Sequence, residues 1–172
     1  MASLMENLIE ILGEENAEYE LLVELSNRKT PTIIHRKIDE LNAITDEEHV
    51  IVGRILQIEK SRVQTLKDIA EVINRDVETL KLVDLVEMLS NRPAEQQALA
   101  KAHDQLKSTL GTFSKVNEQN KLLIDNAMEM VAFDLNLLKA MNTAPETANY
   151  NKDAFNNGSL FGHNPSGFDA KQ

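Results

Sequence analysis

Cysteine and tryptophan are both missing from the 172 residues of this chain. That excludes a disulfide framework, thiolate chemistry and a Cys-ligated metal, and it suits a reducing compartment. Aromatic residues are scarce, at 4%. A core of Leu, Ile, Val, Ala and Met without aromatics is typical of helix seams, where knobs fit repeated holes. There are six glycines and four prolines, and six of these ten lie after position 110. The first two-thirds therefore lack the turn residues that an all-β or α/β fold needs at its corners. No apolar run approaches the ~20 residues of a membrane span, and Met1–Glu6 has neither the basic flank nor the apolar stretch of a signal peptide. The net charge of −10 repels phosphate backbones and anionic lipid, so nucleic acid and membrane insertion are not expected of it.

What is present is helical periodicity. Leu4, Leu8, Leu12, Tyr19 and Leu22 form a stripe, widened by Ile9, Ile11, Leu21 and Leu25, over a first helix of residues 3–28. Ser3 and Glu6 are spaced as a capping box. Seven Glu and no Lys or Arg precede Arg28. They read as a solvated face that also suits the helix N-terminal dipole, or else as a patch for a basic partner. Thr30-Pro31-Thr32 is expected to end this helix, because proline lacks an amide donor.

A second helix is expected over residues 32–73, with Ile34, Ile38, Leu41, Glu48, Val52, Ile55, Ile58, Arg62, Leu66, Ile69 and Ile73 on its seam and a gap near Thr45. A rod of about 60 Å with so narrow a stripe needs partners along its length. Asn74-Arg75-Asp76 breaks the pattern. A short helix follows over 76–90, with Leu80, Val83, Val86 and Leu89 on one face, and Pro93 opens the last helix, 93–142. The fold class is all-α: an antiparallel coiled coil or elongated helical bundle, residues 1–142, carrying a flexible C-terminal tail, 143–172. That tail is too polar to bury a core of its own, yet it holds four of the seven aromatics: Tyr150, Phe155, Phe161 and Phe168.

Chemistry is not expected, and neither is a cofactor. A helical metal oxidase needs Glu-x-x-His on each of two helices. The nearest approach here, Asp46-x-x-His49, has no second copy, and His35, His103 and His163 stand alone. No phosphate loop or His-Glu-x-x-His is present. Polar residues at seam positions are more telling. Glu48 and Arg62 on the second helix lie too far apart to pair, about 21 Å, so each needs its own partner. Together with Asn117 and Asn120 on the last helix they read as register control.

The last helix carries more apolar surface than one seam uses. Between Leu122 and Met141 stand Leu122, Leu123, Ile124, Ala127, Met128, Met130, Val131, Ala132, Phe133, Leu135, Leu137, Leu138 and Met141, whereas a two-helix contact occupies about two positions in seven. Flexible methionines can repack against varied helices. This face is covered either by the first helix or by a partner helix. Its candidate binding residues are Leu122, Leu123, Met128, Met130, Val131, Phe133, Leu137, Leu138 and Met141, with Tyr150 and Phe155 from the tail as possible anchors.

Four stretches resemble the FlgN family, the flagellar export chaperones for hook–filament junction proteins. They are Leu8-Ile9-Glu10 through Glu18-Tyr19-Glu20-Leu21-Leu22, Leu41-x-x-Ile44-x-x-x-Glu48 to Ile58-Glu59-Lys60-x-Arg62, Val116-Asn117-x-x-Asn120-x-Leu122-Leu123, and the closing Ser166-Gly167-Phe168-Asp169-Ala170-Lys171-Gln172. The Asn/Gly-rich spacer from Asn149 to Asn164 departs from the family pattern. The resemblance implies a cytoplasmic, non-enzymatic chaperone, a monomer or weak dimer. It would capture the terminal helices of hook-associated junction proteins, prevent their premature assembly and deliver them to the export gate. It also implies that Glu48, Glu59 and Arg62 belong to the framework, and that the helix from Asn117 onward belongs to the client-binding region. The rival reading is a structural or adaptor coiled coil with no export client.

Overall fold

A computed structural model describes residues 3–143, and among them every regular element is helical. The long helices are α1 (Leu4–Ile34), α2 (Ile38–Val72) and α4 (Pro93–Thr143); α3 (Leu82–Met88) is short and runs into a 3-10 turn, Leu89–Asn91. The all-α class is as expected. The described residues fall into two units that divide after Ala127, and the first is a bundle of three long helices with the short α3 packed at one end.

Helix α1 opens as its capping box dictates. The Glu6 amide donates to Ser3 Oγ at 3.2 Å and the Ser3 amide donates to Glu6 Oε2 at 2.7 Å, satisfying two of the amides a helix start leaves orphaned. The expected stop at Thr30-Pro31-Thr32 does not occur. Pro31 lies inside α1, which continues to Ile34 with Thr32 and Ile33 buried. A proline in the last turn removes one hydrogen bond, to the carbonyl of Asn27, and Asn27 is exposed, where water can take that carbonyl. The stop comes at Arg36, whose φ of 55° is left-handed. There the Lys37 amide donates to the Thr32 carbonyl and the Arg36 amide to the Ile33 carbonyl, a Schellman cap.

The same device ends α2. Asn74 is left-handed at φ 51°, the Arg75 amide donates to Ala70 and the Asn74 amide to Glu71. The Asn74 break is therefore where it was expected. Helix α3 begins later than expected, at Leu82, because Asp76 holds a turn instead: its carboxylate accepts from the Glu78 amide and its carbonyl from Thr79. Leu85 rather than Val83 is the buried residue of this helix. Pro93 opens α4 as expected.

Polar pairs set the directions of packing. Arg28 meets Glu47, Glu18 takes a bidentate contact from Arg54, Glu15 meets Arg62, and Asn7 donates to Thr65. Residue numbers rise in α1 as they fall in α2, so the two helices are antiparallel. Helix α4 runs parallel to α1. Thr109 Oγ1 donates to Asn16 Oδ1, the Phe113 ring sits 6.0 Å from Tyr19, and Asn120 reaches Ser26. One apolar cluster (Leu8, Leu12, Ile69, Leu85, Leu89, Leu99, Ala102, Leu106) ties all the helices at one end. A second (Leu22, Leu25, Ile44, Ile51, Ile55), with Tyr19 and Phe113, fills the other.

The seams differ in detail from the periodic reading. On α2 the supposed gap near Thr45 is filled by Ile44, which is fully buried, and Ile51 takes the place expected for Val52. Ile34 and Ile38 flank the α1–α2 turn and are exposed. Glu48 and Arg62 do each find a partner on α1, Lys29 and Glu15 respectively. Glu15 therefore does not belong to a solvated acidic face. It occupies the seam between Leu12 and Tyr19, 5% exposed at its side chain. Its contact with Arg62 is 3.4 Å and lacks hydrogen-bond geometry, since Glu15 Oε2 and Arg62 Nε are both buried without a hydrogen-bond partner. Burial accordingly outweighs the attraction of Arg62 and raises the Glu15 pKa above its ordinary value. Asn117 is exposed, so Asn120 alone of the two asparagines lies in the seam.

Candidate functional site: the exposed face of the last helix

Parallel packing fixes how far α1 can cover α4. Thr109 lies level with Asn16 and Asn120 with Ser26, offsets of 93 and 94 residues. At an offset of 93, Ile34 at the end of α1 falls level with Ala127. Up to that point α4 buries Leu99, Ala102, Leu106 and Asn120 and half-buries Phe113, Val116, Leu123 and Ala127. The covering of α4 by α1 is thus limited by the length of α1, which its Schellman cap terminates.

Residues 128–143, the described part of the second unit, continue α4, and every one of them is exposed. They include eight large apolar side chains: Met128, Met130, Val131, Phe133, Leu135, Leu137, Leu138 and Met141. Phe133 and Met141 are each 67% exposed. On a helical projection they form two stripes roughly 130° apart. Val131, Leu135 and Leu138 make one, and Phe133, Leu137 and Met141 the other, with Asp134 between them. The far side is polar, with Glu129, Asn136 and Lys139. A helix apolar over so much of its circumference is ordinarily buried, and exposed apolar surface this contiguous marks an interaction site.

Of the residues singled out from sequence, Met128, Met130, Val131, Phe133, Leu137, Leu138 and Met141 come together on this segment. Leu122 is exposed one turn earlier, and Leu123 is half-buried. Tyr150 and Phe155 lie outside the described residues. Leu135, half-exposed, belongs with the site although it was not among the candidates; its spacing from Val131 and Leu138 is the signal that places it there. Among the described residues none from 128 to 143 is buried. Nor do they contain a group of three or more His, Cys, Asp or Glu able to hold a metal, or a helix long and apolar enough to cross a membrane. What segment 128–143 presents is apolar side chains in two stripes, divided by Asp134.

The family model described as "FlgN protein" matches residues 1–158. The chain is a member of the FlgN family. FlgN proteins are flagellar export chaperones, and membership implies binding of hook-associated proteins; the family is one of chaperones, not of known enzymes. The chain is similar to the uncharacterized protein YvyG of Bacillus subtilis (strain 168), at 24% identity over 144 residues, covering 84% of this chain and 83% of that protein. No solved structure matches it.

Proposed function

We propose that this FlgN chain acts in the cytoplasm, capturing hook–filament junction proteins by their amphipathic terminal helices on the face running from Leu122 to Met141. The observation that carries this reading is the run of eight exposed large apolar side chains on residues 128–143. A terminal helix seated on that face is withheld from premature assembly, and the complex is delivered intact to the export gate. Apolar anchors at three- and four-residue steps fit the helix-in-groove mode of recognition. Moderate affinity suits the role, because release is part of it.

The test is co-purification of purified chain with candidate junction proteins, wild type against Phe133→Asp/Leu137→Asp. Both side chains are exposed, so the helical circular dichroism should be unchanged while retained client falls at least tenfold. Undiminished retention by the folded double variant assigns the client to another surface and removes this reading.

A further inference from the structure

Helix α4 is held in two different ways along its length. Leu99, Ala102 and Leu106 are buried in the apolar cluster that ties all the helices at one end. Beyond Leu106 the described part of α4 buries a single residue, and that residue is polar, Asn120. The buried members of the second apolar cluster all come from α1 and α2, and Phe113 of α4 packs against it only partly buried. Ion pairs Glu18–Arg54, Arg28–Glu47 and Lys29–Glu48 close that hairpin further. The α1–α2 hairpin therefore keeps its core whether or not residues 107–127 of α4 lie on it. Hydrogen bonds fasten those residues: Thr109 donates to Asn16, and Asn120 donates to the Ser26 carbonyl and accepts from Thr30. Phe113, Val116, Leu123 and Ala127 beside them are half-buried. Segments with few buried apolar contacts open at free energies well below that of global unfolding. The seam they form also continues. Steps of three and four carry it from Ala127 to Met130, Leu137 and Met141, which are exposed.

We propose that residues 107–127 of α4 form a strap that lifts from the α1–α2 hairpin as one piece, pivoting about the turn anchored by Leu106, with the Asn120 amide as its latch. Lifting breaks both Asn120 hydrogen bonds and bares Phe113, Val116 and Leu123, while the buried members of both apolar clusters stay together. A client helix seated on Met130, Leu137 and Met141 then extends along the same seam to Phe113, exchanging the α1 contact for its own. That consequence rests on the client-binding reading; the lifting does not. The grip lengthens from about 17 Å to about 42 Å of helix, at ~1.5 Å per residue. Since only lifted chains admit the longer grip, a stronger latch weakens it.

The chain has no cysteine, so a single introduced thiol reports its own site. Ser26→Cys places one at a fully buried position where Asn120 meets α1. Thr65→Cys places the reference thiol at a buried position where α2 meets α1. Labelling by a water-soluble disulfide reagent is followed on the folded full-length chain at rising, subdenaturing urea. The expected result is labelling at 26 at least a hundredfold faster than at 65 and with a much shallower urea dependence, because lifting exposes far less surface than unfolding. Equal rates with equal urea dependence overturn the proposal, since α4 then leaves α1 only when the whole bundle unfolds. Asn120→Ala in the Ser26→Cys chain should raise the rate at least fivefold; an unchanged rate removes the latch. Saturating junction protein should speed labelling at 26 severalfold, and unchanged labelling with client bound overturns the longer grip while the lifting stands. If Phe133→Asp/Leu137→Asp leaves client binding intact, the client-binding reading fails, and labelling at 26 in the free chain still decides the lifting.

Discussion

The Asn120 side chain, 1% exposed, donates from Nδ2 to the backbone carbonyl of Ser26 at 2.7 Å and accepts at Oδ1 from Thr30 Oγ1 at 2.7 Å. Both partners lie on α1, so one buried amide on α4 fixes the level at which the two parallel helices meet. An apolar residue there would pack but would tolerate a slip by one turn. Register in turn decides which residues of α4, up to Ala127, lie against α1.

Asn120→Ala should therefore cost about 1–3 kcal/mol, the usual cost of breaking a buried hydrogen-bonded pair. Ser26→Ala, which leaves in place the backbone carbonyl that accepts from Asn120, should behave oppositely. Ser26 is fully buried and its Oγ has no hydrogen-bond partner, so removing the hydroxyl should be neutral or stabilise the fold by up to about 1 kcal/mol. Urea midpoints measured at constant m-value read both changes. A Ser26→Ala loss as large as that of Asn120→Ala would show that the Ser26 hydroxyl has a partner after all.

Glu15 makes a prediction about pH. A carboxyl whose pKa is raised on folding holds its proton more readily in the folded chain than in the unfolded one. Stability then declines as pH rises from the ordinary value of 4.5 through the raised one, and is regained on acidification through the same window. Glu15→Gln keeps the shape and removes the titration, while Arg62 retains Glu59 at 3.7 Å. The stability of the variant relative to wild type should thus grow as pH rises above 4.5 and through the raised value. A difference that stays flat across that range would mean the Arg62 attraction compensates burial in full.

Much of this architecture was legible in the sequence, for identifiable reasons. Ser3–Glu6, Asn74 and Pro93 each act through their own backbone neighbourhood, and local chemistry is what a sequence displays. The need of Glu48 and Arg62 for separate partners followed from helix geometry alone. What was not legible depends on neighbours distant in the chain. Pro31 stays helical because the turn that ends α1 is made five residues later at Arg36, and because Asn27 faces solvent. Ile51 and Ile44 win the seam from Val52 because α1 and α4 approach α2 from its other side, and a stripe of mixed apolar residues does not say which edge faces in. Glu15 looked like one of seven surface acids until α2 brought Arg62 to it. The width of the face at 122–141 was plain from composition, but that Leu123 and Ala127 are half-buried depends on the register set by Asn120.

Asn74 ends α2 in the left-handed conformation with φ 51°, where the Arg75 amide closes onto Ala70. Asparagine tolerates this backbone; β-branched residues do not, because Cβ crowds the following carbonyl. Asn74→Val should cost about 1–2 kcal/mol and Asn74→Gly almost nothing. Since Ile69 and Ala70, just before the cap, are buried in the core, the valine variant should also speed amide exchange in the last turn of α2. Equal stability of the valine and glycine variants would mean that the turn relaxes to another conformation.

Three glycines interrupt exposed helix surface: Gly13 in α1, Gly53 in α2 and Gly111 in α4, and a Cβ built on any of them meets nothing within 4 Å. Mid-helix glycine is less favourable than alanine by about 0.8–1.0 kcal/mol, because its unfolded state is freer. With no clash to offset the gain, Gly13→Ala, Gly53→Ala and Gly111→Ala should each stabilise the bundle by close to that amount. The positions share no contacts, so the triple variant should gain about 2–3 kcal/mol by addition. None of the three lies on the 128–143 face, so client retention should be unchanged while the urea midpoint rises. A glycine whose alanine variant loses stability would mark a site where another backbone approaches α1, α2 or α4 closely in the working complex, and the rank of the three would say on which helix.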